Sequence, residues 1–198
     1  IAPAYEHGVV HVDAGGSLAA HRCSIQGQGI LHVQAGRLEI VDELLIGNGQ
    51  AGTLSVTGAE SQIAVGRYDQ RDDGTLVTTI GADGFSPIVV DGPAEFDGHW
   101  TLVDDRAPVG VYDVLVAEQG IAGTFDGVVA LGEKWAWGVR DGTTLWAEKY
   151  STLTLLGDAD GDGRVSDGDY TVWLDDGDST GEMGIEETYV SADHPAFH

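Results

Sequence analysis

The chain has 198 residues, enough for one domain of moderate size with or without a tail, and its 33 acidic against 9 basic residues give a formal net charge of −24. That charge argues against nucleic acid and anionic membranes as partners, because both bind positively charged surfaces. A lone cysteine excludes an internal disulfide, and no apolar run reaches the length of a membrane-spanning helix.

Four short apolar runs, each opened by a glycine, repeat along the first half of the chain. They begin at Gly8, Gly29, Gly52 and Gly74, so their starts are 21, 23 and 22 residues apart. A period of this size, built from strands, is typical of a β-solenoid, in which each turn stacks on the one before it. A β-sandwich also has short strands bounded by turns, but the in-register repeat favours the solenoid.

Alternate apolar positions in each repeat predict the core of that solenoid. One rung cannot bury its inner face alone, so four stacked rungs, about 4.8 Å apart, are expected to build one continuous core. The first strand of each repeat contributes Val10 and Val12, Leu31 and Val33, Leu54 and Val56, and Leu76. The second strand contributes Leu18 and Ala20, Leu38 and Ile40, Ile63 and Val65, and Ile88 and Val90.

The outward positions of the first strands form a polar row of His11, His32, Ser55 and Val77. One interpretation is an ordinary hydrated face of a parallel sheet. The other is a flat surface of hydrogen-bonding groups that binds a linear sugar polymer. A metal between the two histidines would need a third ligand, which this row does not supply.

From about His99 the pattern changes to a segment rich in tryptophan. Its motifs are Trp100-Thr-Leu-Val-Asp104, Tyr112-Asp-Val-Leu-Val116, Gly120-Ile-Ala-Gly-Thr-Phe-Asp-Gly127, Trp135-Ala-Trp137 and Thr144-Leu-Trp146. This segment resembles the terminal part of bacterial passenger-like β-helix proteins, and the repeats before it resemble autotransporter-associated β-strand repeats. The resemblance implies a parallel β-helix in an extracellular setting. A cap is also expected on physical grounds, because the end of a solenoid exposes strand edges and apolar core.

The aromatic residues of this segment are the candidate carbohydrate-binding residues, since aromatic rings stack on the apolar faces of sugars. Trp135 and Trp137 are two residues apart, so on a strand they share one face. We expect Trp135, next to Lys134, to be the exposed one, and Trp137 to plug the end of the core. Trp100, Trp146 and Tyr112 are further candidates.

The sequence predicts no catalytic site. The arginines are scattered, without a cluster of acids at rung spacing beside them: Arg22, Arg37, Arg67 and Arg71. Paired acids on adjacent rungs, which a hydrolase of this architecture would need, are also not evident. The pairs Asp72-Asp73 and Asp104-Asp105 are adjacent in sequence, so on a strand their side chains would face opposite ways.

A twelve-residue acidic loop near the end of the chain predicts a calcium site. Aspartates occupy its positions 1, 3, 5 and 12, a glycine at position 6 permits the tight turn, and position 7 needs only its backbone carbonyl. The predicted ligands are Asp158, Asp160, Asp162, Arg164 through its carbonyl, Ser166 and Asp169. The loop and the following Asp169-Tyr-Thr-Val-Trp173 resemble dockerin-type repeats of secreted proteins. A dockerin has two such loops and this chain has one, so docking to a cohesin is not expected.

Together these features predict an all-β protein with a short parallel β-helix of about four rungs over residues 1–156, capped from about residue 99. A calcium loop, a short helical segment and an acidic tail would follow at 157–198. Because the chain begins at Ile1 without a signal peptide, we expect a mature or excised part of something larger.

The expected function is that of a non-catalytic carbohydrate-binding module of a secreted bacterial protein. It would bind xylan or another β-glycan of the plant cell wall and keep an attached glycoside hydrolase near its substrate. In this the chain is similar to the β-helical carbohydrate-binding modules found beside xylanases. A structural or adhesive passenger fragment is the alternative, and a polysaccharide lyase is the third possibility.

Overall fold

A computed structural model of the chain describes residues 8–131 and 135–150, and every helix or strand within them is a β-strand. In chain order the strands are β1 (Val9–Val12), β2 (Ser17–Ile25), β3 (Gly29–Gln34), β4 (Arg37–Ile46), β5 (Gly52–Thr57), β6 (Gln62–Val65), β7 (Tyr68–Gln70), β8 (Gly74–Gly81), β9 (Ile88–Val90), β10 (Ala94–Phe96), β11 (His99–Asp105), β12 (Gly110–Ala117), β13 (Ile121–Gly123), β14 (Gly127–Leu131), β15 (Trp135–Arg140) and β16 (Thr144–Lys149). The predicted all-β class is confirmed.

The strands wind into a β-solenoid of about five turns with three faces. The first face is the parallel sheet β1-β3-β5-β8-β11-β14. The long strands β2 and β4 each run through both of the other two faces. The first half of β4 pairs with β6 and its second half pairs with β7, and β2 pairs with β4 along its length. The second face therefore continues from β6 through β9 to β12, and the third continues from β7 through β10 to β13.

The predicted apolar columns stack in the predicted register. Leu31 pairs with Leu54 and Leu54 with Leu76 on the first face, and all three are buried. On the second face Leu38, Ile63 and Ile88 form an equivalent buried column.

The first rung differs from this pattern. Val10 pairs with Leu31 as predicted, yet it is 50% exposed. Leu18 and Ala20 are only partly buried. These side chains cover the second rung, and no earlier rung among the described residues covers them.

The repeated glycine has a packing cause. A Cβ on Gly52 would lie 2.0 Å from the carbonyl oxygen of Ile25, and one on Gly74 would lie 2.5 Å from that of Ile46. Each of these glycines begins a first-face strand, at the corner where the chain passes from the third face to the first. At Gly52 and Gly74 the neighbouring backbone is thus too close for a side chain, whereas a Cβ on Gly8, the first glycine of the repeat, would have no atom within 4 Å.

The segment from His99 is only partly a cap. The strands β11, β12 and β13 add a fifth turn, parallel to the fourth, beyond the four that the repeat predicts. The closing element is the hairpin of β15 and β16, in which β16 runs antiparallel to β12 and continues the second face. No helix in the described ranges is long and apolar enough to cross a membrane. The predicted calcium loop, helical segment and tail lie outside these ranges.

Candidate functional site

Trp100 is a core residue. It continues the column of Leu31, Leu54 and Leu76, is fully buried, and donates a hydrogen bond from Nε1 to Thr78 Oγ1 at 2.9 Å. Neither face of its ring is available to a ligand. The prediction that Trp100 binds carbohydrate is therefore wrong, because the fifth turn places it in the stack rather than in a cap.

Trp135 and Trp137 lie on one face of β15, as predicted, and that face is the inner one. Their partners on β16, Lys149 and Ala147, are both buried. The rings of Trp137 and Trp100 meet edge to face at a centroid distance of 6.0 Å, and Trp137 is 45% exposed, whereas Trp135 is half-buried against the core. The expected order of exposure is thus reversed, because Trp137 covers the end of the solenoid and Trp135 is enclosed beside β12.

Tyr112 packs with Trp135 on that inner side. The two ring centroids are 6.0 Å apart, and the Tyr112 hydroxyl donates a hydrogen bond to the carbonyl oxygen of Pro108. Burial raises the pKa of this phenol. Because the ring and the hydroxyl both contact the protein, Tyr112 is poorly placed to stack on a sugar.

Trp146 is the aromatic candidate that points outward. Its neighbours on β16, Leu145 and Ala147, are buried, so the alternation of the strand turns Trp146 to the outer side of the second face. Opposite it on β15 is Gly138, where a Cβ would lie 3.3–3.5 Å from three atoms of the indole ring. The glycine lets the ring lie close to the β15 backbone, and the half-buried indole keeps part of its surface accessible.

An ion pair lies beside this ring on the same outer surface. Asp113 pairs with Trp146 across β12 and β16, and its Oδ1 atom is 2.9 Å from Nη2 of Arg140 on β15. The arginine therefore reaches across β16 to its acid. Indole and ion pair together form a polar and aromatic patch, which is the kind of surface that orients a sugar ring.

A shallow groove of about 390 Å³ opens farther along the second face. Its walls are Arg37, Leu38, Ser61, Gln62, Ile63, Ala64, Ser86, Pro87 and Val89. The two serine hydroxyls already donate hydrogen bonds within the protein. Ser61 donates to the carbonyl oxygen of Thr57 at 2.7 Å, and Ser86 donates to the carbonyl oxygen of Ala59. Among the polar side chains at this rim, the exposed amide of Gln62 is the one without a hydrogen-bond partner in the described part of the chain.

The polar row of the first face is present as predicted. The His11 and His32 rings meet edge to face at 5.5 Å, and His32 Nδ1 is 2.9 Å from Ser55 Oγ. Within the described residues, no group of three or more histidine, cysteine or acidic side chains is arranged to hold a metal ion. The predicted ligands Asp158, Asp160, Asp162, Arg164, Ser166 and Asp169 lie outside those residues.

Arg67 and Arg71 are not scattered, and the expectation that no acids lie at rung spacing beside them is wrong. Asp69 Oδ2 is 2.6 Å from Arg71 Nη2, and Arg67 Nη2 is 3.2 Å from Glu95 on the next rung. Glu95 pairs directly with Asp69, and Glu43 of the preceding rung lies 3.9 Å from Arg67. Asp69 and Glu95 are 26 residues apart, which is about the length of one turn of the solenoid. A search for acids at this spacing in the sequence could have identified the pair.

The acid at the centre of this cluster is almost completely buried. The Asp69 side chain is 3% exposed, and its Oδ1 atom has no hydrogen-bond partner in the protein. Burial raises the pKa of Asp69, the charge of Arg71 opposes that rise, and Glu95 adds to it. The ion pairs of Arg67 with Glu43 and Glu95, and of Arg71 with Asp69, join three rungs of the solenoid.

Comparison with known protein families, with curated proteins and with solved structures finds no match to this chain.

Proposed function

We propose that this chain is a non-catalytic carbohydrate-binding module and that Trp146 is its aromatic platform. The supporting observation is the position of Trp146, which points outward from the second face, lies close to the backbone at Gly138 and is beside the Asp113–Arg140 ion pair. Aromatic side chains combine a large apolar surface with little conformational freedom, so a fixed indole can contribute much of a binding energy.

The setting of this activity rests on the sequence resemblances. They suggest a secreted bacterial protein, a plant cell-wall polysaccharide such as xylan or another β-glycan, and an attached glycoside hydrolase. Calcium would bind the loop from Asp158 to Asp169 and stabilise that segment, because metal binding couples to folding.

The first experiment is affinity electrophoresis of the protein through gels that contain xylan, mixed-linkage glucan or pectin. Retardation by xylan or glucan, relative to a gel without polysaccharide, is the expected result. Equal mobility in all gels would refute the proposal and would favour the alternative, a structural or adhesive β-helix.

The acid pair of Asp69 and Glu95 raises the question of catalysis, because adjacent-rung acids can act together on a glycosidic bond. Our proposal remains non-catalytic, since Asp69 lies under Arg71 with little exposed surface. Incubation with each polysaccharide should produce neither new reducing ends nor unsaturated products. Release of either that is abolished by Glu95→Gln would show that the cluster is an active site.

A further inference from the structure

We propose that the ligand of Trp146 is a neutral polysaccharide and that its chain lies across the strands of the second face, from Trp146 to the groove at Val89 and Gln62. This inference rests on the proposed function, and it adds the path of the chain, the groove as a second contact region, and the charge class of the polymer.

A continuous row of small side chains links the two ends of this path. Ala64 pairs with Val89, Val89 with Val116, and Val116 with Thr144, so the row crosses four neighbouring strands in register. All four side chains point outward and none of them is buried. Three strand spacings amount to about 14 Å, which is long enough to contact several sugars of one chain.

The shape of the row suits an extended ligand. Alanine, valine and threonine project little from a sheet, whereas the half-buried indole of Trp146 bounds the row on β16, and Pro87 and Gln62 bound the groove. A sugar polymer offers apolar ring faces and hydroxyls at its edges. The row of small side chains can contact the apolar ring faces. The amide of Gln62 and the Asp113–Arg140 pair can form hydrogen bonds with the hydroxyls.

The charges of this surface favour a neutral polymer. Its two arginines in the described residues each contact an acid: Arg37 Nη2 is 3.0 Å from Glu39, and Arg140 Nη2 is 2.9 Å from Asp113. A uronate or a sulfate would have to compete with these carboxylates. It would also approach a chain of net charge −24, which repels it at long range.

The test is isothermal titration with a size series of neutral xylo- or gluco-oligosaccharides, together with three variants. Trp146→Ala removes the platform. Val89→Glu places a charged, larger side chain in the groove, where the native valine is exposed. Val129→Glu is the matched control, because Val129 is also an exposed valine, 53% against 41% for Val89, and lies on the first face, away from this path.

We expect affinity to rise with oligosaccharide length until the chain reaches the groove, and then to level off. Trp146→Ala should weaken binding of every length by about tenfold or more, as is typical for a central aromatic contact. Val89→Glu should weaken binding of long chains by a similar factor and leave the shortest ones unchanged. Val129→Glu should bind like the native protein.

The outcomes separate this inference from the function on which it rests. Binding of a neutral polymer that is unaffected by Val89→Glu would overturn the proposed path and leave the proposed function standing. Stronger binding of polygalacturonate than of neutral chains would overturn the charge class. Absence of binding to any polysaccharide would refute both proposals.

Discussion

Replacement of Lys149 by methionine should strongly destabilise the solenoid. Lys149 Nζ lies 2.7 Å from Asp104 Oδ2 and donates a hydrogen bond to the carbonyl oxygen of Ala107 at 2.8 Å. The two side chains are only 10% and 6% exposed. The pair therefore joins β16, the closing strand, to the end of β11 inside the protein.

The size of the effect follows from burial. Methionine keeps the length and much of the volume of lysine, but it leaves the Asp104 carboxylate buried without its ammonium partner. Removing one member of a buried pair costs about 3–5 kcal/mol. For a domain of this size that corresponds to a fall of roughly 10–15 °C in melting temperature, at about 3 °C per kcal/mol.

A neighbouring pair supplies the control. Arg106 Nε is 3.6 Å from Asp105 Oδ1, with side chains that are 88% and 60% exposed. Because water already solvates both charges, Arg106→Met should change the free energy of unfolding by no more than about 1 kcal/mol. The double variant Asp104→Leu/Lys149→Met should recover much of the loss, since it leaves no buried charge at this position.

The assay is urea unfolding followed by tryptophan fluorescence, with the slope of the transition compared between variants. An equal slope and a lower midpoint would show reduced stability with unchanged cooperativity. Equal losses for Lys149→Met and Arg106→Met, or a double variant less stable than Lys149→Met, would refute the reasoning that burial sets the cost.

Three other predictions address the rung packing, the charge cluster and the calcium loop. Gly52→Ala should prevent folding or cost several kcal/mol because its Cβ would meet the carbonyl oxygen of Ile25, whereas Gly81→Ala, with open space around it, should have little effect on the melting temperature. Asp69→Asn should gain stability relative to the native protein as pH rises from below 3.8, because burial raises the pKa of the folded carboxyl and so disfavours its charged form; a difference that stays constant or shrinks with rising pH would contradict this. A chelator should lower the thermal stability of the segment that contains the calcium loop, and Asp160→Ala should remove its response to added calcium; an identical response in both proteins would argue against this ligand.

The core could be read from the sequence because two independent periods coincide in it. Alternate apolar residues mark the inner side of each strand, and glycines such as Gly52 mark the corners at which turns pack closely. Together they predicted the stacks of Leu38, Ile63 and Ile88 to the correct register. The fifth turn was not predicted from the repeat, because Trp100 takes the position that an aliphatic residue occupies in the other turns of its column.

The site was harder to predict because it depends on the pairing of distant strands. Trp146 is a candidate by residue type, but the proposal that it is a platform rests on Gly138, which lies opposite it only in the register of the β15–β16 hairpin. The exposure of Trp135 and Trp137 also depends on how this hairpin packs against the end of the solenoid. Likewise, the pairing of Asp69 with Glu95 can be predicted only when the length of a full turn is known.

The central claim is that Trp146 binds polysaccharide, and its most direct test compares Trp146→Ala with Trp137→Ala on a gel that contains a neutral β-glycan. Both residues are partly exposed tryptophans of the closing hairpin, but Trp137 lies on the inner side against Trp100. The account predicts that Trp146→Ala loses most of its retardation at an unchanged melting temperature, while Trp137→Ala keeps its retardation and melts at a lower temperature. Full retardation of Trp146→Ala, or its loss only in Trp137→Ala, would contradict the claim.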